Sequence, residues 1–372
     1  MIKTNAAVVY EPGKSIEIEE LDLAGPSAGE VLIRYAFAGL CHSDLHVADG
    51  TLPARLPMVL GHEGAGTVEA IGPGVTRAKV GDHVVCSFIP SCGTCRYCAT
   101  GRQSICDMGA HTRDGYLPGE RFPFSGSRGK YGGMCMLGTF SQYGVVHQNS
   151  VVKIDDDIPL DKAALVGCGV PTGWGAAVNT ANVRPGDTVM VVGVGGIGIN
   201  AVQGARYAGA KYIVVVDPLP NKRHSAARLG ATHTFASILE AIPVISDLTR
   251  GQLADSAILS PSLLTSRTVA EAFEAIGKGG IVVLTALSAI DEQTVELPGV
   301  MVTLYRKSIK GSLLGDCNPT VDIPKILGLY KNGLLKLDEL ITRTYRLEEV
   351  PQGYEDLLAG KNIRGIVAFE HS

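Results

Sequence analysis

Cysteine and histidine stand in clusters along the first half of the chain. The densest cluster is Cys92-x2-Cys95-x2-Cys98-x7-Cys106, which places four thiols within fifteen residues. Thiolates at this spacing can close a tetrahedron around Zn²⁺, and a site with four protein ligands has no open position for substrate. The spacing therefore predicts a structural zinc that ties down a loop. An iron–sulfur cluster is the alternative occupant, whereas disulfides are not expected in a cytoplasmic chain.

Three further potential ligands, Cys41, His62 and Cys168, stand far apart in the sequence on turns flanked by glycine. Three protein ligands with an open fourth position are typical of a catalytic zinc. Spacing alone also allows His62 to be an ordinary turn histidine. A lone cysteine such as Cys168 is most often a small buried hydrophobic residue.

The turn Gly193-Val194-Gly195-Gly196-Ile197-Gly198 fits the pattern G-x-G-x-x-G. An apolar strand precedes it, a helical pattern follows it, and Asp217 ends the next strand 19 residues after Gly198. This context predicts a dinucleotide site with the pyrophosphate at the helix N-terminus. Asp217 favours NAD because its carboxylate would repel a 2′-phosphate, and Lys222 could reach the same ribose. The alternative is a tight βαβ turn without a ligand.

The composition is that of an ordinary globular protein. The 372 residues are 45% hydrophobic and 19% charged, enough for about two domains. A net charge of -4 and a pI near 6.1 give no basic surface for nucleic acid. No charge-free run of 18 apolar residues occurs, so we expect no membrane span. Met1 to Gly13 does not resemble a signal peptide, and nine cysteines, an odd number, suit a cytoplasmic protein.

The pattern of elements changes near the middle of the chain. Short strands separated by Gly and Pro predict a mainly β domain, with strands at 6–10, 31–36, 66–71 and 83–86. From about Asp161, helical patterns alternate with apolar strands, at 188–192, 212–217, 256–259 and 280–285, with a helix at 198–208. This alternation predicts a doubly wound parallel sheet in an α/β protein. The last 60 residues predict helices at 322–332 and 347–358 and a strand at 365–369.

The segment from Cys106 to Gly138 is long, rich in Gly and Arg, and weakly periodic. We predict that it is a surface loop with a functional role. Cys86, Cys135 and Cys317 match no ligand pattern and are interpreted as buried thiols. Trp174, the single tryptophan, is interpreted as a core residue.

The order of these motifs resembles that of the zinc-dependent medium-chain alcohol dehydrogenases over nearly the whole chain. The shared motifs are Cys41-x-Ser43-Asp44, Gly61-His62-Glu63, the four-cysteine segment, Gly167-Cys168-Gly169-Val170-x-Thr172-Gly173, the glycine turn, and Asn362-Ile363-Arg364. A finer likeness, to the actinobacterial nicotinoprotein branch that depends on an artificial acceptor (NDMA), is carried by 112–116, 137–141 and 150–172. That branch keeps NAD(H) bound and passes electrons to an external acceptor.

The resemblance implies a GroES-like, mainly β catalytic domain at 1–169 and 313–372 and a Rossmann domain at 170–312. It implies an enzyme with two zinc ions per chain that transfers a hydride between a primary alcohol or aldehyde and NAD(H). Relatives dimerise at the sheet edge that matches 281–285 and 297–312, so a homodimer or homotetramer is expected.

The resemblance also implies individual roles. Catalytic zinc would be bound by Cys41, His62 and Cys168, with Glu63 beside the metal and Asp44 orienting His62. Ser43 would contact the substrate oxygen, and His46 would take the proton through the nicotinamide ribose. The residues implied for cofactor binding are His42, Thr172, Gly193, Gly195, Gly196, Ile197, Gly198, Asp217, Lys222 and Arg364. His42 replaces an arginine that is common in the family, which could speed cofactor exchange.

Three other functions stay open on the sequence. A glutathione-dependent formaldehyde dehydrogenase holds its adduct with an acidic residue and an arginine, and the matching positions here are Leu52 and Ala110. Another anionic substrate could instead be held by Arg113, Arg121 and Arg128. A polyol or secondary-alcohol dehydrogenase often replaces the third cysteine ligand with Glu, but Cys168 is kept. A nucleotide-binding protein without catalysis is disfavoured by the intact ligand set.

Overall fold

A computed structural model of the protein describes residues 1–290, 292 and 294–371. In chain order its strands are β1 (Ile2–Val9), β2 (Glu17–Leu23), β3 (Glu30–Gly39), β4 (Met58–Val59), β5 (Gly64–Ile71), β6 (His83–Cys86), β7 (Phe124–Gly126), β8 (Gly129–Gly133), β9 (Tyr143–His147), β10 (Val151–Lys153), β11 (Thr188–Val192), β12 (Tyr212–Val216), β13 (His233–Phe235), β14 (Ala254–Leu259), β15 (Ile276–Leu284), β16 (Ser308–Gly311), β17 (Ile341–Tyr345) and β18 (Arg364–Ala368). Its α-helices are α1 (His42–Asp49), α2 (Leu160–Leu165), α3 (Gly169–Gly175), α4 (Gly198–Tyr207), α5 (Pro220–Leu229), α6 (Ile238–Leu248), α7 (Ser266–Ala275), α8 (Gly299–Leu304), α9 (Pro319–Lys331) and α10 (Val350–Leu358).

These elements belong to two compact units. The first contains residues 1–168 and 318–371, and the second contains residues 169–317. Among the described residues, no helix combines the length and the apolar character needed to cross a bilayer.

Five strands of the first unit close into a barrel in the order β1-β2-β7-β8-β4. The pair β1–β2 is antiparallel, and its inward-facing residues are apolar, as the alternation of a half-buried strand requires. Ala6, Val8, Leu21 and Leu23 are buried and pack with Phe124 in one core cluster. The predicted mainly β texture of this part of the chain is therefore confirmed.

The barrel corrects one prediction. Strands β7 and β8 lie within the segment 106–138, which was predicted to be a surface loop. They pair antiparallel, and their aromatic residues Phe124 and Tyr131 are fully buried in the barrel core. The glycines of β8 hid this short strand from a pattern-based prediction, because glycine gives no alternation of polar and apolar side chains.

The second sheet of this unit has the order β10-β6-β5-β3-β18-β17, with β9 also paired to β3. The long strand β3 pairs antiparallel with β5, β9 and β18. Candidate functional residues lie at the ends of these strands. Cys41 closely follows β3, and His62 closely precedes β5. Arg364 begins β18. The sheet therefore supports three of the residues singled out by the sequence.

The second unit contains one parallel sheet in the order β13-β12-β11-β14-β15-β16. Every neighbouring pair is parallel, and all five residues of β11 are buried. The chain leaves β11 toward one edge of the sheet and later returns to its other side at β14. This reversal confirms the predicted doubly wound sheet and places a switch point at the carboxyl end of β11, where ligands bind in such folds.

The three helices whose bounds were predicted are present in the structure. The predicted helices 198–208, 322–332 and 347–358 correspond to α4, α9, and a 3₁₀ turn followed by α10. Helix α1 was not predicted, because its eight residues carry only a weak apolar periodicity. Its position is important, because Cys41 is its N-cap and Ser43, Asp44 and His46 lie within its first turns.

Candidate functional site

Four side chains from distant parts of the first unit meet in a buried cluster. Cys41, His62, Glu63 and Cys168 each offer one ligand atom, and these atoms all lie within 4.8 Å of one another. Cys41 caps α1, the pair His62-Glu63 lies between β4 and β5, and Cys168 follows α2. The structure thus brings together the three predicted zinc ligands and the predicted neighbour of the metal.

The carboxylate of Asp44 connects two of these ligands. Its Oδ1 accepts a hydrogen bond from the backbone N–H of Gly61 at 3.0 Å and lies 2.9 Å from Nδ1 of His62. Its Oδ2 accepts from the backbone N–H of Cys41 at 3.2 Å. Asp44 is fully buried. Because it is the third residue of α1 and accepts from the N-cap residue Cys41, it also caps this helix. With Nδ1 held by a carboxylate, Nε2 of the imidazole is left for a metal.

A tight turn brings His62 into this position. Gly61 has φ +89°, and a Cβ added there would lie 2.5 Å from the backbone N of Phe140. Any side chain at residue 61 would therefore collide with Phe140 and adopt a strained backbone conformation. On the other side, the ring of Phe88 packs edge-on against the His62 imidazole at 5.8 Å between centroids.

The buried side chains of the cluster shift one another's pKa values strongly. A hydrogen bond from Cys168 lowers the pKa of the Cys41 thiol well below its usual value, and His62 lowers it further. Burial acts to lower the pKa of His62, but the charges of Asp44 and Cys41 raise it well above its usual value. Buried charges are costly unless they are paired. Two sulfurs, one imidazole nitrogen and a nearby carboxylate are a donor set that suits Zn²⁺.

Glu63 forms a fully buried ion pair with Arg364. Burial raises the pKa of Glu63 to about 7, although the guanidinium of Arg364 works in the opposite direction. The pair places one guanidinium beside the two cysteines of the cluster. Arg364 therefore offsets part of the negative charge that gathers there.

A second buried carboxylate, Asp356, supports the segment that carries Arg364. It accepts hydrogen bonds from Arg343 at 2.6 Å, from the hydroxyl of Tyr345 at 2.9 Å and from Lys361 at 3.0 Å. The amide of Asn362 in turn donates to the Tyr345 hydroxyl at 2.7 Å. No local motif in the sequence marks Asp356, because its partners lie on β17, before α10, and on the turn that follows α10.

The residues predicted to handle the proton lie on α1. The Ser43 hydroxyl is 3.7 Å from the sulfur of Cys41, so it lies directly beside the cluster. The rings of His42 and His46 follow on the same helix with their centroids 6.4 Å apart. All three side chains are half-buried.

The four cysteines of the other cluster also converge, with all sulfur atoms within 4.8 Å of one another. Backbone N–H groups of Thr94 and Cys95 point to the sulfur of Cys92 at 3.4 and 3.3 Å. Burial acts to raise the pKa of Cys92, but these amides bring it down to about 6. Burial raises the pKa of Cys106 to about 12. Four thiols at this distance fit a closed tetrahedral metal site, as predicted for Cys92, Cys95, Cys98 and Cys106.

The glycine turn lies in the second unit, at the carboxyl end of β11. Gly193 has φ +78°, and a Cβ at Gly198 would overlap the carbonyl oxygen of Gly193. At Gly195, by contrast, no atom lies within 4 Å of such a Cβ. The turn is thus closed on its inner side and open at its second glycine, where a pyrophosphate would approach the backbone of the motif.

Asp217, at the end of β12, braces this turn. Its Oδ2 accepts from the backbone N–H of Val194 at 2.9 Å, and its Oδ1 accepts from that of Leu219 at 2.9 Å. Lys222 is half-buried in the first turn of α5. The neighbouring Arg223, which the sequence analysis did not identify, donates to the carbonyl oxygen of Asp217 at 2.7 Å.

Helix α3 packs closely against the same turn within the second unit. A Cβ at Gly173 would overlap the carbonyl oxygen of Ile197. This close approach brings the helix that carries Thr172 beside Ile197. Thr172 and Ile197 are the two residues predicted to hold the nicotinamide ring. Trp174, on the same helix, is fully buried, so its interpretation as a core residue is confirmed.

The remaining cysteines belong to neither cluster. Cys86 and Cys317 are buried, as predicted. Cys135 is only partly buried, so the prediction that its thiol is buried is wrong. Its backbone has φ +54°.

The chain is similar to known alcohol dehydrogenases over nearly its whole length. The alcohol dehydrogenase GroES-like domain family matches residues 27–156, and the zinc-binding dehydrogenase family matches residues 196–332. The NDMA-dependent alcohol dehydrogenase of Amycolatopsis methanolica is 56% identical over 98% of this chain and 99% of its own length.

Two crystal structures share the fold over the full length of both chains. One is an alcohol dehydrogenase zinc-binding domain protein from Burkholderia ambifaria, with a TM-score of 0.93 and 32% identity. The other is the benzyl alcohol dehydrogenase of Acinetobacter calcoaceticus, with a TM-score of 0.92 and 29% identity. The chain belongs to the zinc-dependent medium-chain alcohol dehydrogenases and is an alcohol oxidoreductase of that family.

Proposed function

We propose that Cys41, His62 and Cys168 bind a catalytic zinc and that the enzyme interconverts primary alcohols and aldehydes with NAD(H). The observation that carries this proposal is the buried cluster of these three residues with Glu63, oriented by Asp44. When bound there, zinc would act as a Lewis acid on the substrate oxygen. The cluster Cys92, Cys95, Cys98 and Cys106 would hold the second, structural zinc.

The chain's own residues would manage the proton. The Ser43 hydroxyl, 3.7 Å from Cys41, is placed to accept a hydrogen bond from the alcohol and to draw its proton away. His46, one turn further along α1, would hold that proton at its imidazole on the way to solvent. Glu63, with a pKa of about 7 and a guanidinium partner, would remain beside the metal as an alternative ligand.

The second unit would bind the cofactor. Asp217 supports NAD over NADP. Two backbone N–H groups hold its carboxylate in place, where it would repel a 2′-phosphate. Gly193, Gly195, Gly196 and Gly198 would form the pyrophosphate site, and Thr172 and Ile197 would contact the nicotinamide. His42, Lys222 and Arg364 are proposed as further contacts to the cofactor. We also propose that 1–169 with 313–372 is the catalytic domain and that 170–312 is the cofactor domain.

We further propose that NAD(H) stays bound through turnover and that an external acceptor reoxidises it. The support is the 56% identity to an enzyme whose name records dependence on NDMA. Exchange of soluble NAD is the alternative, and His42 in place of the arginine common in the family favours it.

A primary alcohol without an anionic group is the proposed substrate. Leu52 occupies the position at which the glutathione-dependent branch has an acidic residue, and it packs against the apolar core. Two of the three arginines that could hold an anion are engaged elsewhere, since Arg121 pairs with Glu30 at 3.0 Å and Arg128 lies 3.8 Å from the ring centroid of Tyr10. A benzyl alcohol dehydrogenase among the structural relatives also supports this substrate class.

A homodimer or homotetramer is proposed from the surface of the second unit. Val300, Val302 and Leu304 on α8 are exposed, and β16 lies at the edge of the sheet with most of its residues exposed. An exposed apolar surface beside an unpaired edge strand is typical of a subunit interface.

A cytoplasmic location is proposed because all nine cysteines are free and two clusters of them need reduced sulfur to bind metal.

Replacement of Cys168 tests the metal assignment. In Cys168→Ser the zinc content should fall from two ions per chain to one, and turnover should fall about a thousandfold, equivalent to roughly 4 kcal/mol of barrier. Zinc analysis and steady-state kinetics measure both effects. Cys135→Ser is the matched control, because Cys135 belongs to neither cluster, and it should keep two zinc ions. A Cys168→Ser enzyme with wild-type turnover would rule out the assignment.

A pair of glycine substitutions tests the cofactor turn. Gly195→Ala should keep the wild-type melting temperature but weaken NAD binding at least about tenfold, because its methyl group meets no protein atom yet occupies the path of the pyrophosphate. Gly198→Ala should lower both stability and NAD binding, since its methyl group would overlap the Gly193 carbonyl. Calorimetry and NAD titration of the cofactor-free protein separate the two. Gly328→Ala in α9, which has open space, should change neither. Unaltered NAD binding in Gly195→Ala would contradict the proposed site.

Exhaustive dialysis distinguishes bound from exchanging cofactor. If NAD(H) stays bound, the purified enzyme should keep the near-ultraviolet absorbance of reduced nicotinamide after dialysis with an alcohol. Turnover should then need an artificial acceptor and no added NAD. Loss of this absorbance, together with turnover that depends on added NAD, would establish exchange instead.

A further inference from the structure

The hydroxyl group of Tyr354 is an unexplained buried polar group in the first unit. Tyr354 lies on α10 and is 3% exposed. Its oxygen is inaccessible to solvent and makes no hydrogen bond that meets normal geometry within the described part of the chain. Such groups are rare in folded proteins because burial without a partner costs free energy, so each one calls for an explanation.

The surroundings of Tyr354 place it against both ligand-bearing segments. Its ring lies 6.3 Å from that of Phe140, centroid to centroid, and Phe140 in turn packs on Gly61, the residue before His62. The preceding residue, Gly353, is so close to Leu40 that a Cβ would lie 2.6 Å from the Cδ1 atom. Leu40 directly precedes Cys41. Helix α10 therefore packs against the segments that carry two of the proposed zinc ligands.

The carboxylate of Asp44 lies between the same two segments. Its Oδ1 accepts a hydrogen bond from the backbone N–H of Gly61 and lies beside Nδ1 of His62. Within the described part of the chain, its Oδ2 has one hydrogen-bond partner, the backbone N–H of Cys41. A carboxylate offers about four acceptor positions, so one remains available. Burial raises the pKa of Tyr354 well above its usual value, and the nearby charge of Asp44 raises it further. The phenol therefore stays protonated and is available as a donor.

We propose that Tyr354 is a positioning residue of the catalytic metal site. Its hydroxyl donates to the remaining position on Asp44 and holds that carboxylate against His62 and Cys41 when the metal is bound. Tyr354 touches neither substrate nor metal and acts through Asp44. The inference rests on the proposed function, because it requires zinc at Cys41, His62 and Cys168. Partners of metal ligands commonly affect metal retention by ten- to a hundredfold.

Release of zinc to a chelator from the purified holoenzyme tests this role. The Cys168→Ser enzyme identifies which of the two release phases belongs to the catalytic site. In Tyr354→Phe that phase should be about tenfold faster, while the other phase and the melting temperature stay at wild-type values. Tyr35→Phe is the matched control, because Tyr35 is fully buried in the same unit and its hydroxyl contacts the sulfur of Cys86 at 3.8 Å. This control should leave the catalytic phase unchanged.

Two results would overturn the role of Tyr354. One is a catalytic phase in Tyr354→Phe within twofold of wild type. The other is an equal acceleration in both tyrosine variants, which would indicate general loosening of the unit. Failure of the proposed function has a different signature, because the wild-type enzyme itself would then hold only the zinc of the four-cysteine cluster and show a single release phase.

Discussion

The candidate active site depends on one buried carboxylate. Asp44 accepts hydrogen bonds from the backbone of Cys41 and of Gly61 and holds the imidazole of His62, so it joins two segments that lie 20 residues apart in the chain. It also caps the helix that carries Ser43 and His46. A substitution at this residue would therefore disturb the proposed metal ligands, the helix and the proposed proton path together. Such coupling explains why a fully buried charge is kept at a place where an apolar residue would cost less to bury.

Buried charges of both signs surround Asp44, and the raised pKa of His62 favours its protonated form. Cys41 favours the thiolate, Glu63 and Asp44 are carboxylates, and Arg364 supplies the buried guanidinium beside them. A divalent ion would offset the remaining negative charge and separate the sulfurs of Cys41 and Cys168, which otherwise share a hydrogen bond. The ion pair with Glu63 is itself kept in place by the Asp356 network, through Tyr345 and Asn362. The site is thus built from three buried carboxylates with different partners.

Short motifs predicted the arrangement of their own residues well, because that geometry is local. The four-cysteine spacing fits a tetrahedron within fifteen residues, and the glycine turn requires only a strand, a turn and a helix in sequence. The parallel sheet was predictable for a similar reason, since strands buried on both faces are continuously apolar, as in β11. The meeting of Cys41, His62 and Cys168 was different. Spacing left it open, and the resemblance to a family supplied it.

What the sequence could not predict is long-range or depends on glycine. Asp356 and Tyr354 act through partners from separate segments, and nothing in their neighbouring sequence distinguishes them from ordinary helix residues. Strand β8 is rich in glycine and shows no alternation, although Tyr131 fills the barrel core. Cys135 has a left-handed backbone conformation that its residue type does not suggest. Each of these features is set by tertiary packing.

X-ray absorption at the zinc edge of the purified enzyme distinguishes one occupied cluster from two. The two clusters hold six cysteines and one histidine between them. Zinc in both clusters would give an average of about three sulfur ligands per zinc, together with a lighter-atom contribution from the His62 imidazole and from the open position. An average of four sulfurs with no lighter atom would mean that zinc occupies only the four-cysteine cluster, which would contradict a catalytic zinc held by Cys41, His62 and Cys168.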